Sequence, residues 1–540
     1  MAGQSEACIL VIFGATGDLA RRKLYSALYA LYRDGMLSAN FAVVGVARRE
    51  KTADGFRRDI FQSLQQYSRY KPSEDQTWPD FAGRFYYLPF DLRDRSGYVR
   101  LKELLAELDE RYAVPGNRLF YLAVAPGNFE AAINNLAVAG LAVNEPPAWQ
   151  RLMLEKPFGR DLASAEALNR QIRKLFAEEH IFRIDHYLGK EMIQNITVLR
   201  LANTFFEPVW NRNYINNIQI NSVETVGVGE RGAYYEKAGA LRDMIQNHML
   251  QLLTLMAMEP PAGLEGRVVR DEKVKVLRSL QPLTAERVIK DTVRGQYGPG
   301  CINGESAAGY RAEAGVASAS NTETFAAMKV FIENFRWAGV PFYLRTGKRL
   351  AVKGTEIFIQ FNSLPEINYF KDYGVLTPNL LVIRVNPVEG VHLQLNVKRP
   401  GTKNLIVPIT MDFCQNCGLD INSPEAYERL LFDAIQGDPA LFTGWEEVAL
   451  AWRFVDPVAE VWAQSDVLFP NYAAGSWGPA QAADLLLRDG LRWWPVCGGR
   501  RSDLPDCWRN AGTAGYNIAP AVNAGPPDGQ AGEAAVYGPH

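Results

Sequence analysis

Membrane-length apolar runs are missing from these 540 residues. No stretch of about 18 consecutive apolar residues occurs, so no membrane-spanning helix is expected. Charge of one sign is not in excess either. With 58 lysines and arginines against 60 aspartates and glutamates the net charge is −2, which gives no reason to expect nucleic acid or an anionic membrane as a partner. The opening MAGQSEACILVIFG has no basic n-region before its apolar run, so no signal peptide is expected. Cysteine is scarce. Six in the whole chain cannot form a disulfide framework. The pair Cys414-x-x-Cys417 lacks a second pair or a nearby histidine that would complete a zinc site, so ordinary thiols and no metal are expected. The cytoplasm fits these absences, and the length calls for two or more domains.

Histidine is rarer still, with five in the chain, and one of them lies in Arg183-Ile-Asp-His-Tyr-Leu-Gly-Lys-Glu191. This nonapeptide crowds a carboxylate, an imidazole, a phenol and an ammonium group together. His186 and Lys190 stand four apart, which on a helical turn gives them one face. Two cationic donors side by side suit a phosphate dianion, because charge-assisted hydrogen bonds are the strong ones. Asp185 only accepts when ionised and cannot hold phosphate, so it needs another task, such as orienting a histidine elsewhere.

The N-terminal third reads as a nucleotide site. Cys8 to Phe13 is a strand-length apolar run, followed at once by Gly14-Ala-Thr-Gly17-Asp-Leu-Ala20. Leu24, Leu28 and Leu31 then recur at helical spacing up to Gly35, a C-terminal stop. In this context Gly14 permits a tight turn, Gly17 lets backbone approach a pyrophosphate, and the helix N-terminus supplies N–H groups. The pattern is G-x-x-G-x-x-A, which an ordinary βα turn also fits. The next strand, Phe41 to Val46, ends at Arg48 and Arg49 where an acidic residue would suit NAD, so NADP is favoured. Runs at Phe85–Leu88, Arg118–Val124 and Arg151–Leu154 alternate with helical segments and predict a parallel, doubly wound sheet. The last run leads into Glu155-Lys156-Pro157. Strand carboxyl ends line the ligand crevice of such a sheet, so Lys156 points at the junction of cofactor and substrate, beside a proline whose peptide bond can be cis.

From about Ile181 the pattern changes. Strand-like runs at Ile215–Ile220, Glu356–Phe361, Leu380–Val385 and Val391–Val397 predict a mainly antiparallel sheet with one covered face. Leu241 to Leu253 predicts an amphipathic helix with Met244, His248 and Leu252 on its apolar stripe. A histidine there is a satisfied core residue or, paired with Asp185, a base competent near neutral pH. Asp243, Gln246 and Asn247 cluster around it. Spacing alone leaves Glu224, Lys348 and Lys353 undecided between sugar contacts and solvated surface.

Taken together these residues resemble the glucose-6-phosphate dehydrogenase family, from about Ala7 to about Trp493. The similarity is carried by GATGDLARRKL at Gly14–Leu24, GVAR at Gly45–Arg48, EKPFGRD at Glu155–Asp161, RIDHYLGKE at Arg183–Glu191, RDMIQNH at Arg242–His248, RDEKVKVL at Arg270–Leu277, SNTETF at Ser320–Phe325 and WAGVPFYLRTGK at Trp337–Lys348. The bacterial branch is the most similar. The resemblance implies a Rossmann-like NADP-binding domain over residues 1–180 and an α+β substrate and oligomerisation domain over 181–493. It also implies oxidation of β-D-glucose 6-phosphate by NADP⁺ to 6-phosphoglucono-1,5-lactone, the first oxidative step of the pentose phosphate pathway. His248 is then the base, Asp185 its orienting partner, and Lys156 a bridge between substrate and nicotinamide. His186, Tyr187 and Lys190 take the phosphate; Glu224, Asp243, Lys348 and Lys353 take the rest of the substrate. Gly14, Ala15, Thr16, Gly17, Asp18, Leu19, Ala20, Arg21, Arg48, Asp91 and Leu92 line the cofactor, and the chain forms a homodimer or homotetramer.

Two other readings compete. One is a sugar or inositol dehydrogenase, which joins a similar nucleotide domain and E-K-P lysine but oxidises unphosphorylated polyols. The other is a non-catalytic NADP-binding regulatory protein. Beyond Trp493 the resemblance stops. The remainder, Trp494 to His540, is rich in Gly, Pro and Ala and reads as a disordered, dispensable tail. Its expected origin is a frameshift or an altered stop codon near Gly490, or else a lineage-specific extension.

Overall fold

The computed structural model describes residues 3–72, 77–142, 147–263, 265–365, 367–370, 373, 376–414 and 424–498. The N-terminal apolar runs form parallel strands because both of their faces are covered: β1 (Cys8–Phe13), β2 (Phe41–Ala47), β3 (Phe85–Pro89), β4 (Arg118–Leu122), β5 (Gln150–Leu154) and β6 (Ile181–Ile184). They lie in the order β3-β2-β1-β4-β5-β6. The helices Tyr25–Arg33 and Ala53–Tyr67 pack on one face, Arg95–Tyr112 and Phe129–Val138 on the other. The order reverses between β1 and β4, which opens a crevice at the strand carboxyl ends where ligands of such sheets bind. This is the doubly wound domain the alternation predicted.

The expected boundary after residue 180 falls one strand early. Ile181, Phe182 and Ile184 are all buried in β6, which pairs in parallel with β5. The C-terminal part also returns to this domain. The short strand Phe442–Thr443 extends the sheet antiparallel to β6, and the helix Ala426–Gln436 buries Leu430, Leu431 and Ile435 in the N-terminal core.

The second sheet contains β7 (Ile215–Val223), β8 (Thr292–Gly295), β9 (Phe325–Val330), β10 (Phe342–Gly347), β11 (Gly354–Phe361), β12 (Leu380–Asn386), β13 (Gly390–Lys398) and β14 (Ile406–Cys414). Their order is β14-β13-β12-β11-β7-β10-β9-β8. All neighbours are antiparallel except β7 and β10, which run parallel. Helices cover one face, burying Ile193, Ile196, Leu252 and Val455 against it. The expectation of one covered face holds for β13, whose burial alternates, and fails at the centre. There Tyr343, Phe358 and Val382 on the second face pack against Tyr472, Leu485, Trp494 and Val496.

The expected tail is corrected at its first residues. Trp494, Val496 and Cys497 are buried, and these apolar side chains close the central strands of the sheet. The rest of the expected tail, 499–540, lies outside the described residues, as do Cys417 and the side chain of Cys414.

Candidate active site

Asp185 follows β6 directly, so a strand buried on both faces fixes its backbone, and its side chain is buried. His248 comes from the other domain. The segment Leu241–Met249 that carries it is wound as a π-helix, which corrects the expected α-helix. The wider π turn still leaves His248 and Leu252 buried, while Met244 is only partly so. Such turns recur at functional sites. His248 Nδ1 donates a hydrogen bond to Asp185 Oδ1, and the Tyr187 backbone N–H donates to the same oxygen at 3.1 Å. On the far side of the ring, Lys156 Nζ donates to His248 Nε2 at 2.7 Å, to the Asp243 carbonyl oxygen at 2.9 Å and to Asp243 Oδ1 at 3.2 Å. Lys156 stands just past the end of β5, and its bond to Pro157 is cis.

The electrostatics follow from this packing. Burial pushes His248 below the usual histidine range, and Lys156 pushes the same way; the Asp185 carboxylate opposes them. Burial would raise Asp185, but His248 and the hydrogen bond to it hold the carboxyl well below the usual range. Asp243 is likewise held low, its burial outweighed by Lys156 and Lys348. His248 is therefore neutral near pH 7, with its proton on Nδ1 and a lone pair on Nε2. Asp185, His186 and His248 offer three donor atoms within 4.8 Å of one another, a spacing a metal ion can use. The Lys156 ammonium on Nε2 and the proton on Nδ1 occupy the His248 nitrogens and disfavour a cation there.

The nonapeptide turns where a helix was expected. Leu188 N–H bonds to the Asp185 carbonyl and Lys190 N–H to the Tyr187 carbonyl, both at 3.0 Å; the helix Glu191–Leu201 begins only after Lys190. His186 and Lys190 are brought together all the same, around Tyr187. The Tyr187 ring stacks on His248 with centroids 4.2 Å apart, His186 meets it edge-on at 5.1 Å, and Lys190 Nζ sits 3.9 Å over it. The expectation of two cations needs correcting. Burial, reinforced by the Lys156 ammonium, keeps His186 neutral, whereas burial brings Lys190 down only to about 8.

Glu224 Oε2 accepts from Lys348 Nζ at 2.6 Å, and Asp243 Oδ1 accepts from Tyr234 at 3.2 Å. Lys353 is exposed beside β11, near enough for its charge to act on Lys190. Sequence reasoning missed a hydroxyl chain behind Tyr187, whose OH meets Ser222 Oγ at 3.0 Å, which in turn meets Thr355 Oγ1 at 3.0 Å. It also missed Glu155, half-buried, whose Oε1 accepts from Tyr121 at 2.6 Å and Tyr427 at 3.0 Å. The signal for both was polar residues inside otherwise buried runs.

At the other end of the crevice, Gly14 has φ +89°, and a Cβ there would fall 2.3 Å from the Ala123 carbonyl oxygen. The turn fits only glycine. Gly14 and Ala15 N–H bond to the Val46 carbonyl, and Gly17 N–H to the Gly14 carbonyl. Thr16, Asp18, Leu19 and Ala20 follow around the start of the helical segment, with Arg21 in contact with Asp59 at 3.4 Å. Arg48 is exposed past the end of β2, and Asp91 and Leu92 lie past the end of β3.

A doubly wound nucleotide-binding sheet that brings a lysine and an aspartate from two strand ends to a buried histidine of a second domain defines a two-domain, nicotinamide-dependent dehydrogenase. Comparison with known proteins narrows the class. The NAD binding domain model of glucose-6-phosphate dehydrogenase matches residues 11–195, and the C-terminal domain model of the same family matches 197–494. The glucose-6-phosphate 1-dehydrogenase of Bacillus subtilis is 49% identical over 493 residues, 91% of this chain and 99% of that protein. That of Chlamydia pneumoniae is 48% identical over 498 residues, 91% of this chain and 96% of its own length. A solved glucose-6-phosphate dehydrogenase in complex with glucose-6-phosphate superposes with a TM-score of 0.82 at 34% identity, covering 91% of this chain and 100% of that one. The enzyme from Mycobacterium avium gives 0.77 at 34% identity, covering 91% and 99%. The chain belongs to the glucose-6-phosphate dehydrogenase family.

Proposed function

We propose that this chain oxidises β-D-glucose 6-phosphate at C1 to 6-phosphoglucono-1,5-lactone with reduction of NADP⁺. The observation that carries the mechanism is the orientation of His248, whose Nδ1–H is spent on Asp185 while the Nε2 lone pair faces Lys156. His248 Nε2 takes the proton of the C1-hydroxyl, and Asp185 stabilises the imidazolium that results, the part an aspartate plays in a triad. Before substrate arrives Lys156 occupies that lone pair, so the C1-hydroxyl displaces its ammonium, which Asp243 retains. Lys190 carries most of the charge for the phosphate, with neutral His186 as a hydrogen-bond donor and Tyr187 as the wall between them and the base. Lys353 adds charge at the same end. Glu224, Asp243 and Lys348 meet the sugar hydroxyls. Lys190 and Lys353 around one wall favour a phosphorylated sugar over the free polyols of inositol-type dehydrogenases, and the intact base disfavours a purely regulatory protein.

The glycine turn fits a dinucleotide. Gly14, Ala15 and Gly17 use their N–H groups inside the turn, which leaves those of Thr16, Asp18, Leu19 and Ala20 for the pyrophosphate. Arg48, with Arg49 next to it in sequence, reads the 2′-phosphate, while Asp91 and Leu92 border the far side. Bound there, NADP⁺ accepts the hydride that leaves C1.

Two further expectations stay proposals. Met411 and Phe413 on edge strand β14 are 59% and 57% exposed, beside Phe205 at 63%. An apolar patch of this kind marks an interface, and a homodimer or homotetramer through this sheet covers it, as sedimentation of the pure protein will test. Among the described residues no helix is long and apolar enough to cross a membrane, which supports a cytoplasmic enzyme. The activity is tested by following NADPH absorbance with glucose 6-phosphate or free glucose, and with NADP⁺ or NAD⁺. Turnover with free glucose equal to that with the phosphate ester would overturn the proposal.

A further inference from the structure

The substrate-facing loop between β10 and β11 is held along its first part by the body of the domain. Lys348 N–H bonds to the Thr324 carbonyl, Arg349 N–H to Val226, Leu350 N–H to Glu224 and Ala351 N–H to Ser476. What meets Val352 to Gly354 is the C-terminal segment Arg492–Gly498, of which Pro495–Gly498 lie past the end of the family match at residue 494. Gly498 presses on the loop directly: a Cβ there would fall 2.5 Å from the Lys353 carbonyl oxygen and 3.0 Å from Val352 Cβ. One at Gly354 would fall 2.7 Å from Val496 Cγ1.

The segment is anchored along its length. Gln219 on β7 donates to the Arg492 carbonyl and accepts from Trp494 N–H, each at 2.9 Å. Trp494 Nε1 donates to Gln360 at 3.0 Å, and Trp493 stacks over the Arg345 guanidinium at 4.3 Å. The end of the segment docks on Glu356, a carboxylate 2% exposed on β11, which accepts from Cys497 N–H at 3.2 and 3.3 Å. A buried carboxylate is retained only where it is hydrogen-bonded or paired. Here the donor comes from this segment, with Arg384 opposite Glu356 on β12.

We infer that Arg492–Gly498 is a strap and Glu356 its positioning residue, which together hold Lys353 in place for the substrate phosphate. The inference rests on Lys353 being a substrate ligand, as proposed above. A strap acts on substrate recognition and leaves the His248 chemistry alone, so it predicts a split between KM and kcat that a general loss of fold does not produce.

The test is steady-state kinetics on five forms of the protein: ended after Gly498, ended after Trp493, and the full-length variants Gly498→Ala, Glu356→Gln and Lys353→Ala. The form ending at Gly498 should match the full chain. The form ending at Trp493 and both strap variants should raise KM for glucose 6-phosphate by about ten-fold, the scale of one charge-assisted contact, with kcat and KM for NADP⁺ within about two-fold. If the form ending at Trp493 does not fold, the two full-length variants decide. Strap variants with unchanged KM, while Lys353→Ala raises it, would overturn the strap alone. Unchanged KM in Lys353→Ala would overturn the strap together with the assignment of Lys353. Equal losses in kcat and in kcat/KM would make the segment structural and overturn the inference.

Discussion

Lys156 Nζ and His248 Nε2 stand 2.7 Å apart, so the atom proposed to accept the substrate proton is already hydrogen-bonded to a cation. The cation lowers the basicity of the ring, and Asp185 on the opposite nitrogen raises it. The base is thus tuned from both sides by groups that come from different strands of the first sheet.

His248→Asn keeps a polar side chain of similar bulk but cannot take the proton. A positioned base contributes roughly 10²–10⁴-fold, so kcat should fall by at least about a hundred-fold while KM for glucose 6-phosphate stays near wild type. An intact kcat in this variant would move the base to Lys156, the next group within reach of C1.

Arg48→Ala should raise KM for NADP⁺ and leave NAD⁺ kinetics nearly unchanged, because only the former carries a 2′-phosphate. A charge-assisted contact of this kind is worth roughly 1.5–3 kcal/mol, or about one to two powers of ten in kcat/KM. Equal losses with both cofactors would mean that Arg48 supports the β2 end and reads nothing.

Much of the fold and the site is legible in the amino-acid sequence. Cys8–Phe13 reads as a strand because burial on both faces demands an unbroken apolar run, and Gly14 reads as a turn because little else tolerates its φ. Asp185 and His248 read as candidates for one pair, since the first is a carboxylate with no local task and the second a histidine on a buried stripe. The π winding of Leu241–Met249 is not legible, since over nine residues its apolar spacing cannot be told from that of an α-helix. Phe442–Thr443 is too short to signal a strand, and its place beside β6 depends on a distant segment. Trp494–Gly498 fails for a different reason. Its burial is decided by the far face of a sheet assembled from β7, β10 and β11, and the five residues Trp-Pro-Val-Cys-Gly carry no periodicity from which to infer that face.

Lys190, the proposed phosphate ligand, should give the pH profile its alkaline side. Burial brings its ammonium down to about 8, and the phosphate contact exists only while that ammonium is charged. Recognition should be complete below this value and lost as pH rises through it, so kcat/KM for glucose 6-phosphate should fall above about pH 8, from a rise in KM. Lys190→Ala should remove this limb and raise KM at neutral pH, with kcat little changed, because ground and transition states share the phosphate. A limb that survives in Lys190→Ala belongs to another group.

The acid side of the profile should belong to His248, the proposed base, and its two neighbours should move it in opposite directions. The free imidazole is active when neutral, so kcat/KM should fall as pH drops through its pKa, which burial already places below the usual histidine range. Asp185→Asn removes the counter-charge of the imidazolium; the limb should shift further down while kcat drops, because the cation formed in the reaction is less stable. Lys156→Met removes a positive charge from Nε2, and the limb should shift up. Lys156→Met should also lower kcat, since the same ammonium is proposed to sit where substrate and nicotinamide meet. Profiles of kcat/KM against pH for the wild type and the two variants check both signs in one series. A common direction of shift in the two variants would mean that the limb reports a different group, and that His248 is not the base.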